Sequence, residues 1–306
     1  MSFKIEYGLW KSKIDVTQLC MDRLCRNGVI TIPAHDHLRA DIFTDVAPGK
    51  YKSVFISLSD EQHITQYNHR YTVLMYTDTQ EVKAYSIEDP VIHRKYTHLI
   101  RDITMVHGDF DMEIPEMKMV TRYITGNEKV LELGGNVGRN SLIIAKILGD
   151  NAHNLVTLES DKNIANQLIA NRDANNMTFH VESSALSKTP IVQRGWDTQP
   201  YDGHTAPEGW LPVNTISLYG LIAKYSVVFD TLVADCEGAL YHILKDTPHI
   251  LDTIKLVIME NDYTEISEKN FVDNMLIENG FRVDYVEAGG FGPCFHNFFE
   301  AWKKEV

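Results

Sequence analysis

Glu132-Leu133-Gly134-Gly135-Asn136-Val137-Gly138 is the stretch of this chain best suited to holding a small molecule. Lys129 to Leu133 has the composition of a buried strand, and an apolar helix over Ser141 to Leu148 follows, so the glycines fall in a strand-to-helix turn. In a parallel α/β sheet that turn brings backbone closest to a ligand. The glycines stand at relative positions 1, 2 and 5, not in the spacing of the dinucleotide fingerprint, and Glu132 beside them opposes a pyrophosphate. An acidic residue there suits a ligand carrying an amino group or a cationic centre. S-adenosylmethionine has both. Twenty-one residues beyond Gly138, after a second strand candidate Asn154 to Leu158, stands Glu159, near the interval at which a carboxylate grips a ribose diol. The expected nucleoside contacts are therefore Glu132, Gly134, Gly135, Asn136, Gly138 and Glu159. Ser184, in the turn after a third strand, could bond a base edge or merely stabilise its own turn.

Further along, Val233-Ala234-Asp235-Cys236-Glu237-Gly238 ends a fourth strand candidate, and Glu260-Asn261 ends a fifth. Asp235 and Glu237, with His242 one helical turn later, are candidates for accepting a proton, and Asp235 also borders the expected nucleoside. Oxygen donors at Asp235, Glu260 and Asn261 could hold a divalent cation such as Mg, which would lower an acceptor's proton affinity. Asp235 could instead simply cap the following helix.

Three of these motifs, in this order, resemble the FkbM family of S-adenosylmethionine-dependent methyltransferases: Glu132-Leu-Gly-Gly-Asn-Val-Gly-Arg-Asn-Ser, Ser184-Ala185-Leu186-Ser187 and Ala234-Asp235-Cys236-Glu237-Gly238-Ala239. The resemblance covers about Glu116 to Val306. It departs from the usual pattern where Glu132 stands for Asp, where Gly135 stands for Ala, and where the later motif lacks its lysine. It implies a class I Rossmann-like methyltransferase sheet and methyl transfer to a hydroxyl, most often on a sugar or glycan. Methylation of nitrogen, protein or nucleic acid, or a nucleoside-binding scaffold without catalysis, are the competing readings.

These residues need elements to position them. From Pro115 on, the pattern is β-α-β: a helix over Glu116 to Thr125, then the strands and helices above, including helices at Asp161 to Asn175, Ala239 to Leu244 and Glu268 to Glu278. Phe281 to Val286 and Cys294 to Trp302 predict a closing antiparallel hairpin. The stretch Thr189 to Pro212 looks structure-poor and too long for an idle connection, which makes it the candidate acceptor loop, with Trp196, Tyr201 and Trp210 as packing faces and Arg194, Asp197 and His204 as hydrogen-bonding groups. Ahead of all this, alternating runs at Val29–Ile32, Ser53–Leu58 and Tyr71–Tyr76 predict a smaller β-rich domain. A hinge at Glu88-Asp89-Pro90 divides the chain into residues 1–90 and 91–306. The first part could bind acceptor, mediate oligomerisation or cover the cleft. His35-Asp36-His37 reads as a turn and His93-Arg94-Lys95 as a solvated face.

Composition narrows the partners. With 29 Lys and Arg against 42 Asp and Glu, a formal charge of -13 disfavours general binding to nucleic acid or to an anionic membrane and leaves a small-molecule or glycan acceptor. The four cysteines share no C-x-x-C spacing and read as reduced thiols. With neither an apolar signal region nor a run of about 18 apolar residues, the expectation is a cytoplasmic enzyme.

Overall fold

The computed structural model describes residues 3–58 and 64–305. The chain divides into two units, one of residues 1–90 with 283–289 and one of 91–282 with 290–306. In the first unit two antiparallel four-stranded sheets share one core. One runs in the order Ser12–Asp15, Phe3–Leu9, Ser53–Leu58, Ile64–Tyr67, and the other Cys25–Arg26, Val29–Ile32, Tyr71–Tyr76, Val82–Ser86. Alternate residues point inward, so Ile5, Tyr7, Val54 and Ile56 of one sheet meet Ile30, Ile32, Val73 and Met75 of the other, around Phe43. The segment His35 to His37, read as a turn, instead opens a helix, Asp36–Phe43, with His35 at positive φ as its N-cap.

A seven-stranded sheet carries strands β1 (Val130–Leu133), β2 (Leu155–Leu158), β3 (His180–Glu182), β4 (Thr231–Ala234), β5 (Leu256–Glu260), β6 (Phe281–Glu287) and β7 (Phe299–Lys304), all in the second unit except β6 from residue 283 on. Their order is β3-β2-β1-β4-β5-β7-β6. The first five are parallel and wind outward from β1, and β7 runs antiparallel to β5. This is the Rossmann-like α/β sheet expected, with consecutive strands β6 and β7 side by side at its end. β1, β2 and β4 are buried throughout, as strands covered on both faces must be.

Several local expectations needed correction. Cys294 to Asn297 belongs to a 3-10 turn, Gly292–Asn297, which delays β7 to Phe299. Thr189 to Pro212 is not structure-poor: Ile191–Arg194 is the centre of a three-stranded antiparallel sheet between Asp197–Pro200 and Leu211–Val213. Its strands are three or four residues long, too short to show a period. Helices Pro90–Arg101 and Leu218–Tyr225 carried no signal that was read. The first begins at its proline, which lacks only an N–H that no helical partner would use.

Candidate active site

Register builds the site. Leu133 of β1 lies opposite Leu158 of β2 and Ala234 of β4, and Ala234 lies opposite Met259 of β5. The next residue on each strand is Gly134, Glu159, Asp235 and Glu260, so one rung at the carboxyl edge aligns a glycine and three carboxylates. All four line a cavity of about 680 Å³, within the roughly 300–1,000 Å³ usual for small-molecule sites. Crossovers above β1 run to opposite sides, which leaves this crevice open.

At Gly134 the φ is 84°, and a Cβ would sit 1.6 Å from the Asp235 carbonyl oxygen, so only glycine lets β1 and β4 end this close together. The turn is then tied down: Gly134 and Gly135 amides both donate to the Leu158 carbonyl at 3.1 and 2.9 Å, and the Asn136 amide donates to Glu159 Oε2 at 2.9 Å. Glu159 Oε1 accepts from the Asp161 amide at 2.8 Å. Each Glu159 oxygen therefore holds one backbone N–H and keeps acceptor capacity for a hydroxyl. Burial pushes its carboxyl above the usual range, against the pull of those amides. Asp161 caps the helix Lys162–Ala174 as its sequence position implied, accepting from the amides of Asn163 and Ile164.

Other expected contacts lie elsewhere. Glu132 points away from the cavity, where Ser141 and Thr157 hydroxyls each donate to its Oε2 at 2.6 Å; burial raises its carboxyl to about 7. One residue inside β1, it alternates to the face opposite Leu133. Gly135 and Gly138 are also off the cavity wall: a Cβ on Gly135 would meet Thr157 Cγ2 at 2.3 Å, and one on Gly138 would meet Leu168 at 3.2 Å, so both allow close helix-strand packing. Asn136 and Ser184 do line the cavity, and Ser184 Oγ donates to Glu182 Oε1 at 2.9 Å. Glu182 in turn accepts from Lys224 and Tyr225.

Asp235, Glu237, His242 and Glu260 all line the same cavity. Glu116, buried on helix Ile114–Tyr123, joins Asp235 and Glu260, and carboxylate oxygens of the three lie within 4.8 Å of one another. Burial, then the charges of Glu116, Glu113 and Glu237, hold the Asp235 carboxyl well above its ordinary value. Burial, the charge of Asp235 and a hydrogen bond with Glu116 do the same to Glu260. A hydrogen bond with Asp262, followed by burial, raises Glu237 to about 7. Three carboxyl groups this close cannot all ionise without a cation or shared protons. As a donor set they suit a hard, oxygen-seeking divalent ion. Asn261 does not line the cavity: fully buried, it donates through Nδ2 to the Asn297 carbonyl at 2.7 Å.

Glu116 went unread, although Val120 and Tyr123 fall at i+4 and i+7 on the same buried stripe, and an acidic residue on such a stripe is itself a signal. Arg139 was missed too. It donates to Glu113 Oε1 at 2.8 Å and to the Asp109 carbonyl at 2.7 Å, fastening the segment before the helix to the glycine turn. From the expected acceptor stretch only the hairpin around Trp196 reaches the cavity wall; Tyr201, Asp197 and His204 are off it, and Arg194 stacks over Trp210 at 4.7 Å. All four cysteines are free, and no helix among the described residues is long and apolar enough to cross a membrane.

No family model and no curated protein matches the chain. Among solved structures it is similar to a ribosomal protein L11 methylase from Lactobacillus delbrueckii subsp. bulgaricus, at 13% identity over 65% of this chain and 81% of that one, with a TM-score of 0.41. An O-methyltransferase from Bacillus cereus, in complex with SAH, is 14% identical over 71% of this chain and 92% of its own, also with a TM-score of 0.41. A methyltransferase from Pyrococcus furiosus is 11% identical over 71% and 98%, with a TM-score of 0.38.

Proposed function

We propose that this chain is an S-adenosylmethionine-dependent methyltransferase of the FkbM type, acting on a hydroxyl of a sugar or glycan. The observation that carries the reading is the shared rung: Gly134, Glu159, Asp235 and Glu260 end neighbouring strands at one level and line one cavity. The residues present fit the donor. Glu159, its two oxygens already oriented by the Asn136 and Asp161 amides, is built to receive the two hydroxyls of a ribose. The tight turn at Gly134 admits the methionine part without a side chain in the way. Ser184 stands beyond β3, where the base of a nucleoside on Glu159 would lie.

When bound, S-adenosylmethionine supplies a methyl group on a sulfonium, so the C–S bond breaks with its electron pair left on a neutral sulfur. The protein aligns the acceptor oxygen and removes its proton. Asp235 takes that proton. Burial, then the charges of Glu116, Glu113 and Glu237, raise its proton affinity toward that of a useful general base. A divalent cation on Glu116, Asp235 and Glu260 is a second route to the same end, favoured by oxygens that lie within 4.8 Å of one another.

Calorimetry with S-adenosylhomocysteine tests the donor site. Wild type should bind, and Glu159→Ala should weaken binding roughly 100-fold, two charge-assisted hydrogen bonds being lost. A wild-type protein that binds no nucleoside overturns the reading. Binding without methyl transfer to any glycan, protein or RNA leaves a scaffold. Loss of activity with a chelator, restored by magnesium, selects the cation route.

A further inference from the structure

The sheet beside the cavity contains a polar group that no protein atom satisfies. Gln193 sits in the central strand Ile191–Arg194, opposite Thr198 and Leu211, is more than nine-tenths buried and lines the cavity. Its Nε2 donates to the Gly195 carbonyl at 2.9 Å. That bond fixes which way the amide faces, because exchanging oxygen and nitrogen would set two acceptors against each other. Gln193 Oε1 is left with no partner among the described residues. A buried carbonyl oxygen so left is destabilising, and a ligand O–H or N–H would recover that loss.

The hairpin also tells which half of the cavity this oxygen serves. Its base is closed by the Tyr201 amide on the Pro190 carbonyl, next to Ser184 to Thr189. Its tip carries Trp196, about half exposed on the cavity rim, and Asp197, close enough to Glu237 to interact with it electrostatically. Gln193, bonded to Gly195 at the tip, belongs with the carboxylates that handle the proton. Charge then restricts what can enter. Seven carboxylates line the cavity against Arg139 and Lys245, and Arg139 is already engaged by Glu113. Even with protons shared among Glu116, Asp235 and Glu260, the acidic groups outnumber the basic ones, and a phosphate or carboxylate on the acceptor would be repelled.

Building on the methyltransferase reading, we propose that the acceptor is a hydroxyl-rich small molecule, neutral or positively charged and free of phosphate and carboxylate. Gln193 Oε1 selects it by accepting one of its O–H or N–H groups, while the Trp196 ring packs on its face. Nucleotide-linked sugars and nucleic acids fall outside this class.

The test uses the full chain saturated with S-adenosylhomocysteine and three probes, glucose, glucosamine and glucose 6-phosphate, with binding read by saturation-transfer NMR. Glucose and glucosamine should each bind at least ten times more tightly than glucose 6-phosphate. Gln193→Leu should weaken both roughly ten-fold, about one hydrogen bond, while S-adenosylhomocysteine affinity stays within two-fold. Trp196→Ala, at an exposed position that folding does not need, should weaken them as well. Equal or tighter binding of glucose 6-phosphate overturns the proposal. So does a silent Gln193→Leu, or failure of all three probes to bind. If Gln193→Leu instead weakens S-adenosylhomocysteine but not S-inosylhomocysteine, the oxygen serves the adenine amino group and the proposal also fails. Failure of S-adenosylhomocysteine to bind wild type defeats the methyltransferase reading, and the probe order, measured on the protein alone, still decides the acceptor class.

Discussion

Buried charge is handled in opposite ways in two regions of this molecule. In the first unit Lys52, 1% exposed, is held by Asp36 at 2.9 Å and Asp45 at 2.7 Å, and Arg39, fully buried, donates to the carbonyls of Pro33, Tyr67 and Tyr71. Each cation there has its acceptors. In the cavity of the second unit carboxyl oxygens of Glu116, Asp235 and Glu260 gather within 4.8 Å of one another. The contrast does not separate one unit from the other, because elsewhere in the second unit Lys269 is sealed between Asp273 and Glu300. It separates scaffold from site. Paired burial fixes structure, whereas crowded like charges are kept at a cost to stability and poise a group for proton transfer.

The sharpest way to break this comparison is Asp235→Asn. It should lower turnover about 100- to 10,000-fold in a methyl-transfer assay with nearly unchanged S-adenosylhomocysteine affinity, and at the same time raise stability to denaturant at pH 8 by about 1 kcal/mol. Unchanged turnover removes Asp235 from the chemistry, and a loss of stability removes it from the crowded class. The opposite sign is expected at Lys52. Lys52→Met strands two carboxylates and should lower the midpoint of urea unfolding, whereas a neutral result would mean the pair is not a structural one.

Glu132 gives a pH-dependent version. Its carboxyl is raised by burial from 4.5 to about 7, so the folded chain holds the proton more tightly than the unfolded chain. The associated stability is complete below pH 4.5 and is lost as pH rises through about 7, a change of about 3 kcal/mol. Glu132→Gln should flatten that slope in unfolding curves recorded from pH 5 to 8, with S-adenosylhomocysteine binding retained. An unchanged slope would assign the titration to the cavity carboxyls instead. The smallest effect is expected at Trp196, where replacement by alanine should raise the acceptor KM a few-fold and leave kcat alone.

The elements that hold the donor were legible because each carries a strong local pattern. Apolar runs of four or five residues ending in Gly134, Glu159, Asp235 and Glu260 could be placed on strands, and their chemistry could be placed at strand ends. Three features were not legible. Glu132 reads as a site residue because it adjoins the glycines, yet a strand alternates faces and turns it inward. Glu116 lies more than 100 residues before Asp235 in a helix that gave no hint of what it would face. Gln193 stands in a sheet whose three- and four-residue strands are too short to carry a period.

The sequence by itself determined the parallel sheet, its glycine turn and the strand ends at which acidic side chains emerge, since period, composition and turn residues are local properties. Which carboxylates share a cavity, which one is sealed behind Ser141 and Thr157, and which buried amide oxygen lacks a partner among the described residues emerge only from the packing. Those outcomes depend on register and on distances between segments far apart in the chain, and the electrostatic cost of crowding charges exists only once packing has brought them together.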